Sequence, residues 1–262
     1  MPYIMRSKLM HTKIGRMPYL NSEIFYLNID NNYFDLIFHT PKEMGKEINE
    51  DKIHAGPLSL VDSINCKKSI DFLPFVVSTD KKSNSVLLFS KVPYQKLDRK
   101  NISITDETST SVKLLEIILN KFWKIKEINF AHEYKRTTNA KLLIGDKALQ
   151  QLYINNSWPF VYDLGQIWHE MTNLQFVFAR WAILSSVNIN IKNTLKENIF
   201  KSLSEKFISI EKIANNNQRK FIPIKDIKKY VSSFIYEYKT NHNDSIIEFQ
   251  KLLSSNQLKI NY

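Results

Sequence analysis

The sequence predicts a two-lobed α/β protein with mixed sheets and a helical C-terminal tail, and three observations predict it. From Lys13 to Ser90, short apolar runs alternate with amphipathic stretches, the rhythm of strand–helix units that build parallel or mixed sheets. The same alternation begins again at Asn101 and continues to Trp181. After Asn188 only helical spacing remains. A chain that builds one α/β unit, then a second, then returns in helices divides into residues 1–91 plus 183–262 and residues 92–182, with crossings near Val92 and Ala182 as a hinge. Ligands of such open sheets bind beyond the carboxyl ends of the strands, here between the lobes.

Each element has its own signal. Residues 13–17 read as the first strand, and Pro18 opens a turn in which Asn21 and Ser22 are N-cap types for a segment over 23–28. Residues 34–38 are apolar and β-compatible, and Pro41 suits the first position of a helix over 42–49. Residues 53–58 form a short strand ending in a Gly56-Pro57 turn, and 71–78 and 85–90 are buried-strand runs. In the second half, 102–105 is a strand, and 111–123 is a helix with Val112, Leu115, Leu119 and Phe122 on one stripe. Strands follow at 128–130 and 142–144, a helix at 146–153, a strand or turn at 160–165, a helix at 166–171 and a strand at 176–184. In the tail, Leu195, Ile199, Leu203, Phe207 and Ile210 keep helical spacing. So do Ile227, Val231, Phe234 and Tyr238 and, more weakly, Ile246, Gln250 and Leu253. These stripes predict core packing and no chemistry.

The bulk properties narrow the class. A chain of 262 residues with 43% hydrophobic content buries a sizeable core, and 5 Gly and 8 Pro argue against low complexity. The formal net charge of +11 is carried by dispersed lysines, with only pairs such as Lys67-Lys68, Lys81-Lys82 and Lys228-Lys229. That pattern describes solvated helix faces rather than a nucleic-acid-binding arm. The single cysteine, Cys66, excludes an internal disulfide and a thiolate metal cluster. Residues 1–15 are broken by Arg6, Lys8 and Lys13, so no secretory leader is expected. No stretch approaches a membrane span. The expectation is a cytoplasmic protein with no nucleic-acid or membrane partner.

Two segments carry the chemistry. Residues 102–115 and 141–149 each run from apolar strand through polar turn into amphipathic helix. In the first, Thr108, Ser109, Thr110 and Ser111 fall where the helix begins; in the second, Gly145 and Asp146 do. Free backbone N–H groups and the positive end of the helix dipole collect at such points. Two of them facing one crevice make a receptor for a small anion with carboxylates. One hydroxyl suffices for a cap, and four in a row exceed that need. Asn21 can orient a ligand through its amide, and Tyr162-Asp163 is a polar edge whose spacing also fits a structural role. There is no Gly-rich phosphate loop, no His-Glu-x-x-His and no close His pair, and His132 and His169 read as surface or core residues. No metal and no cofactor are expected.

The run Ile14-Gly15-Arg16-Met17-Pro18-Tyr19-Leu20-Asn21 resembles the opening motif of the chorismate dehydratase family of the futalosine route to menaquinone. The similarity extends, in order, through Ser85 to Ser90, Thr108 to Leu115, Leu142 to Leu149, Tyr162 to Trp168 and Phe176 to Ala182. The resemblance implies a type II periplasmic-binding-protein-like fold and a cofactor-free lyase that converts chorismate to 3-[(1-carboxyvinyl)oxy]benzoate. It implies that Asn21 and Ser85 border the reacting ring and that Thr110 and Ser111 hold a carboxylate; from the reading of the residues, Ser59, Thr108, Gly145, Asp146 and Tyr162 are expected to complete the substrate site. One departure stands out: where the family presents adjacent serines after a Gly-Leu-Ile turn, this chain has Gly56-Pro57-Leu58-Ser59-Leu60. The sibling family that cleaves a cyclic futalosine derivative carries a His-His motif, which is absent here. The competing reading is a non-catalytic solute-binding protein for a small carboxylate on the same fold.

Overall fold

The computed structural model describes residues 11–132, 138–155 and 157–261. Most of the stretch on which the leader expectation rested therefore lies outside the described residues. The chain opens with β1 (Thr12–Arg16), a 3-10 helix (Leu20–Tyr26) and β2 (Phe34–Phe38), which lies parallel to β1. Helix α1 (Pro41–Asn49) starts where expected. Thr40 and Glu43 form a reciprocal capping box, and Pro41 occupies the first turn. Then come β3 (Ala55–Ser59), the short α2 (Leu60–Ile64) and the long β4 (Ile70–Thr79). Gly56 to Leu58, expected as a turn, continue the strand: Pro57 sits opposite Trp181, and β3 meets β1 only at Ala55. The proline's missing N–H therefore costs no ladder bond on the β1 side.

The second half contains β5 (Val86–Ser90), β6 (Asn101–Ser103), α3 (Thr110–Ile117), β7 (Glu127–Ala131), β8 (Ala140–Ile144), α4 (Gly145–Ile154), β9 (Phe160–Asp163) and α5 (Leu164–Thr172). One π-helical turn, Ile118–Phe122, extends α3. Strand β10 (Phe176–Leu184) leads into α6 (Ile189–Ser204), α7 (Lys206–Asn215), α8 (Ile224–Ser232), β11 (Phe234–Glu237), α9 (His242–Ser254) and β12 (Lys259–Asn261). The strands form two mixed six-stranded sheets, ordered β11-β4-β10-β3-β1-β2 and β12-β7-β6-β8-β5-β9.

This pairing corrects the expected crossings. Strand β5 already belongs to the second sheet and β10 already to the first, so the chain changes sheets at residues 80–85 and 173–175 rather than at Val92 and Ala182. Each connection holds an asparagine in the left-handed region, Asn84 at φ 57° and Asn173 at φ 56°, where Asn is tolerated better than most side chains. The tail also differs from its expectation. Phe234 and Tyr236 lie in a strand that pairs with β4, and their faces are buried there. Phe207 is 77% exposed and does not belong to the core. The tail serves both sheets: Tyr236 packs edge-on to Phe25, with centroids 5.3 Å apart, whereas Phe249 packs on Trp168 and Phe176. No helix among the described residues is long and apolar enough to cross a membrane.

Candidate active site

Where the two sheets face each other, a narrow cavity is walled by Tyr19, Asn21, Ser59, Ser85, Thr108, Ser111 and Gly145, with apolar side chains such as Met17, Val77, Ile144 and Phe178 between them. This mix of apolar wall and a few convergent polar groups suits a small organic ligand. Six of the residues singled out in the sequence thus meet here from five separate stretches. No Asp, Glu, Lys, Arg or His among the described residues lines the cavity. Among those residues, no cluster of three His, Cys, Asp or Glu is placed to hold a metal ion.

Asn21 stands in the 3-10 helix after β1, and its Oδ1 is buried with no hydrogen-bond partner. A buried amide oxygen without a donor is costly and rare, and here it faces a cavity. Ser85 precedes β5 and is held from behind: the Tyr230 hydroxyl of α8 donates to Ser85 Oγ at 2.6 Å. Ser85 in turn donates to the Ser83 carbonyl at 3.4 Å. Burial raises the Tyr230 hydroxyl above its ordinary range, so it remains the donor in that pair.

Two helices start at the cavity, and both start, as α7, α8 and α9 do, without an N-cap side-chain bond. Helices α1, α2, α5 and α6 are each capped by the side chain of their own N-cap residue. In α3 the N-cap Ser109 makes no such bond, and in α4 the N-cap is Ile144, which has no polar side chain. The only side-chain help at α3 is a long 3.4 Å bond from the Ser111 N–H to Thr108 Oγ1. Gly145 holds φ at +51° and gives its N–H to the Ser85 carbonyl at 2.8 Å. The two starts therefore turn partial positive charge towards the cavity.

Three expected site residues have other duties. Thr110 does not reach the cavity: its Oγ1 accepts the Val61 N–H at 2.9 Å, and its hydroxyl donates to Ser59 Oγ at 3.1 Å. It ties α3 to α2 across the two sheets. Asp146 accepts the Leu20 N–H at 3.1 Å and pairs with Arg219, so it pins α4 to the first sheet. Tyr162 lies away from the cavity, where its hydroxyl accepts the Tyr94 N–H at 2.9 Å and its ring meets Tyr94 and Trp123 edge-on. Ser59 reaches the cavity wall, yet its hydroxyl is engaged as N-cap of α2, donating to Asp62 Oδ2 at 2.6 Å.

The carboxylates around the cavity are all compensated. Glu107 accepts the Tyr19 hydroxyl at 3.0 Å and pairs with Lys147 at 2.6 Å. Asp62 receives the Ser59 and Ser109 hydroxyls, and burial raises its carboxyl above the usual range in spite of these bonds. Burial, then the Glu107 carboxylate, pushes the Tyr19 hydroxyl far up, so it stays protonated. Sequence reading missed Tyr230 and Arg219, whose partners lie 145 and 73 residues away in the chain. No local spacing announces such contacts. Tyr19, in contrast, stood within the quoted opening motif.

A family model described as "Menaquinone biosynthesis" matches residues 12–255. A chorismate dehydratase of Campylobacter jejuni is 26% identical over 198 residues, covering 75% of this chain and 73% of that protein. A chorismate dehydratase of Thermus thermophilus is 27% identical over 173 residues, 57% of this chain and 61% of that protein. Among solved structures, the periplasmic aliphatic sulphonate binding protein SsuA of Escherichia coli superposes with a TM-score of 0.62 at 13% identity. That match covers 95% of this chain and 88% of the other. At such identity the likeness speaks to fold alone, and the fold is the two-lobed periplasmic-binding-protein type.

Proposed function

The chain belongs to the menaquinone biosynthesis family, and from that membership we propose that it is a chorismate dehydratase, a hydro-lyase that eliminates water from chorismate to give 3-[(1-carboxyvinyl)oxy]benzoate. The observation that carries the reading is the cavity itself: among the described residues no charged side chain lines it and a buried amide oxygen lacks a donor, and two helix starts without N-cap side-chain bonds border it. A dicarboxylate placed there takes one carboxylate to the start of α3, with the Thr108 and Ser111 hydroxyls, and the other to the start of α4 past Gly145, whose own N–H is held by the Ser85 carbonyl. Ser85, fixed by Tyr230, and Asn21 then border the ring from opposite sheets.

The reaction breaks one ring C–O bond and one neighbouring C–H bond, and the electron pair of the C–H bond closes an aromatic ring. Aromaticity supplies most of the driving force, so the protein's task is to position the ring and hold its charges. Asn21 Oδ1 accepts the hydroxyl that departs and so orients it. In this account the substrate's own carboxylate takes the ring proton and passes it to the departing hydroxyl, so that the two leave together as water. Ser59 and Thr110 contribute by holding the two sheets together rather than by touching the substrate. The expected setting is the cytoplasm, with a small-molecule substrate and no cofactor.

Incubation of the purified protein with chorismate in chelating buffer tests the reading. The expected product is lighter by one water and shows the absorbance of a substituted benzoate. Tight binding of chorismate that is recovered unchanged would replace this reading with that of a solute-binding protein.

A further inference from the structure

The start of α4 carries a contradiction that Arg219 resolves. Asp146 lies in the first turn of α4, where a carboxylate neutralises the positive end of the helix that an anionic ligand would use. Left alone, it would compete with a bound carboxylate and repel it. Arg219, from the segment between α7 and α8, places its Nε on Asp146 Oδ2. The two side chains are 17% and 27% exposed, so the pair is little screened by solvent.

The guanidinium is held in place by further acceptors. Its Nη1 forms a second ion pair with Glu23 Oε1 at 2.5 Å and meets Asn217 Oδ1 at 3.2 Å, and its Nη2 meets the Pro18 carbonyl at 3.2 Å, so the one guanidinium is shared between the Asp146 and Glu23 carboxylates. A planar fork is needed to satisfy acceptors in these directions at once, and a lysine cannot do so. Both groups lie near the cavity: burial is the main cause of the raised Tyr19 and Tyr230 hydroxyls, Asp146 adds to it at both, and Arg219 opposes it at Tyr230 behind Ser85.

We propose that Arg219 is a positioning residue that neutralises Asp146 and so keeps the start of α4 receptive to a substrate carboxylate. It touches no substrate atom. This inference rests on the proposed reading of the cavity as a dicarboxylate site.

A charge cycle tests it. Arg219→Gln raises KM for chorismate about tenfold, equivalent to about 1.4 kcal/mol, and leaves kcat within about twofold of the parent. Arg219→Lys recovers part of the loss. In Asp146→Asn/Arg219→Gln/Glu23→Gln both carboxylates that Arg219 compensates are gone, and KM returns to within about threefold of the parent. Asp146→Asn alone binds at least as tightly as the parent, an arm that stands even if Arg219→Gln fails to fold. A triple variant as impaired as Arg219→Gln, or a loss confined to kcat, overturns the proposal. The same cycle is read by calorimetry with benzene-1,3-dicarboxylate, which needs no turnover. If the parent binds that probe but leaves chorismate unchanged, the dehydratase reading falls while the charge cycle still decides this one. If the parent binds neither compound, both fall.

Discussion

Gly145, at the start of α4, lies against the ring of Tyr19 from the other sheet so closely that an added Cβ would fall 2.5 Å from Tyr19 Cδ1. Its φ of +51° is also one that side chains adopt at a cost. Gly145→Ala therefore has two penalties, and the backbone one alone is about 1–2 kcal/mol. The expected result is a lower urea midpoint with unchanged slope, together with weaker ligand binding, because the Tyr19 ring that must move lines the cavity. An alanine variant as stable as the parent would show that this contact relaxes freely.

Asp163 governs the first connection between the sheets. Its Oδ1 accepts the N–H groups of Ser83, Gly165 and Gln166 and the Ser83 hydroxyl at 2.9–3.1 Å, and its Oδ2 accepts the Asn84 N–H at 2.7 Å. Asp163→Asn turns one acceptor into a donor facing an N–H group. The expected loss is about 2 kcal/mol, in the range for a hydrogen bond to a charged group. Faster amide exchange at Ser83 and Asn84 should accompany it. Unchanged protection at those two amides would remove Asp163 from this role.

Asp62 supplies a pH dependence whose sign is fixed by its burial. Its folded-state pKa is raised above the ordinary 3.8. Its contribution to stability is therefore fully present below the unfolded pKa and is lost as pH rises through the folded value. Asp62→Asn keeps an acceptor for one hydroxyl, and the other hydroxyl can rotate to accept from the amide. The variant should gain stability relative to the parent as pH is raised from about 4 to neutrality. Thermal unfolding across that range checks it, and a constant or shrinking advantage would contradict the assignment.

Much of this was legible in the sequence, for physical reasons that also explain the failures. Period-2 and period-3.6 patterning found β2 and β10 at their bounds, and Pro41 marked the start of α1, because those signals are local. The same patterning misread Phe234 and Tyr238. Their apolar stripe continues that of α8, yet the backbone there pairs with β4, a partner that local spacing cannot reveal. The hydroxyl run at 108–111 pointed to the cavity but not to which hydroxyls face it. Thr108 and Ser111 line it, whereas Thr110 turns to Val61 and Ser59, a choice set by where α2 packs. The acids were harder still, since Asp146 looks like a ligand contact until Arg219 arrives from the tail.

The steady-state comparison of the parent with Asn21→Ala on chorismate tests the central claim most directly. Asn21 presents a buried oxygen without a donor to the cavity, and on this account it accepts the departing hydroxyl mainly in the transition state. Its removal should lower kcat by at least about tenfold, or about 1.4 kcal/mol, and leave KM within about threefold. A folded Asn21→Ala protein that dehydrates chorismate at the parent rate would contradict the account.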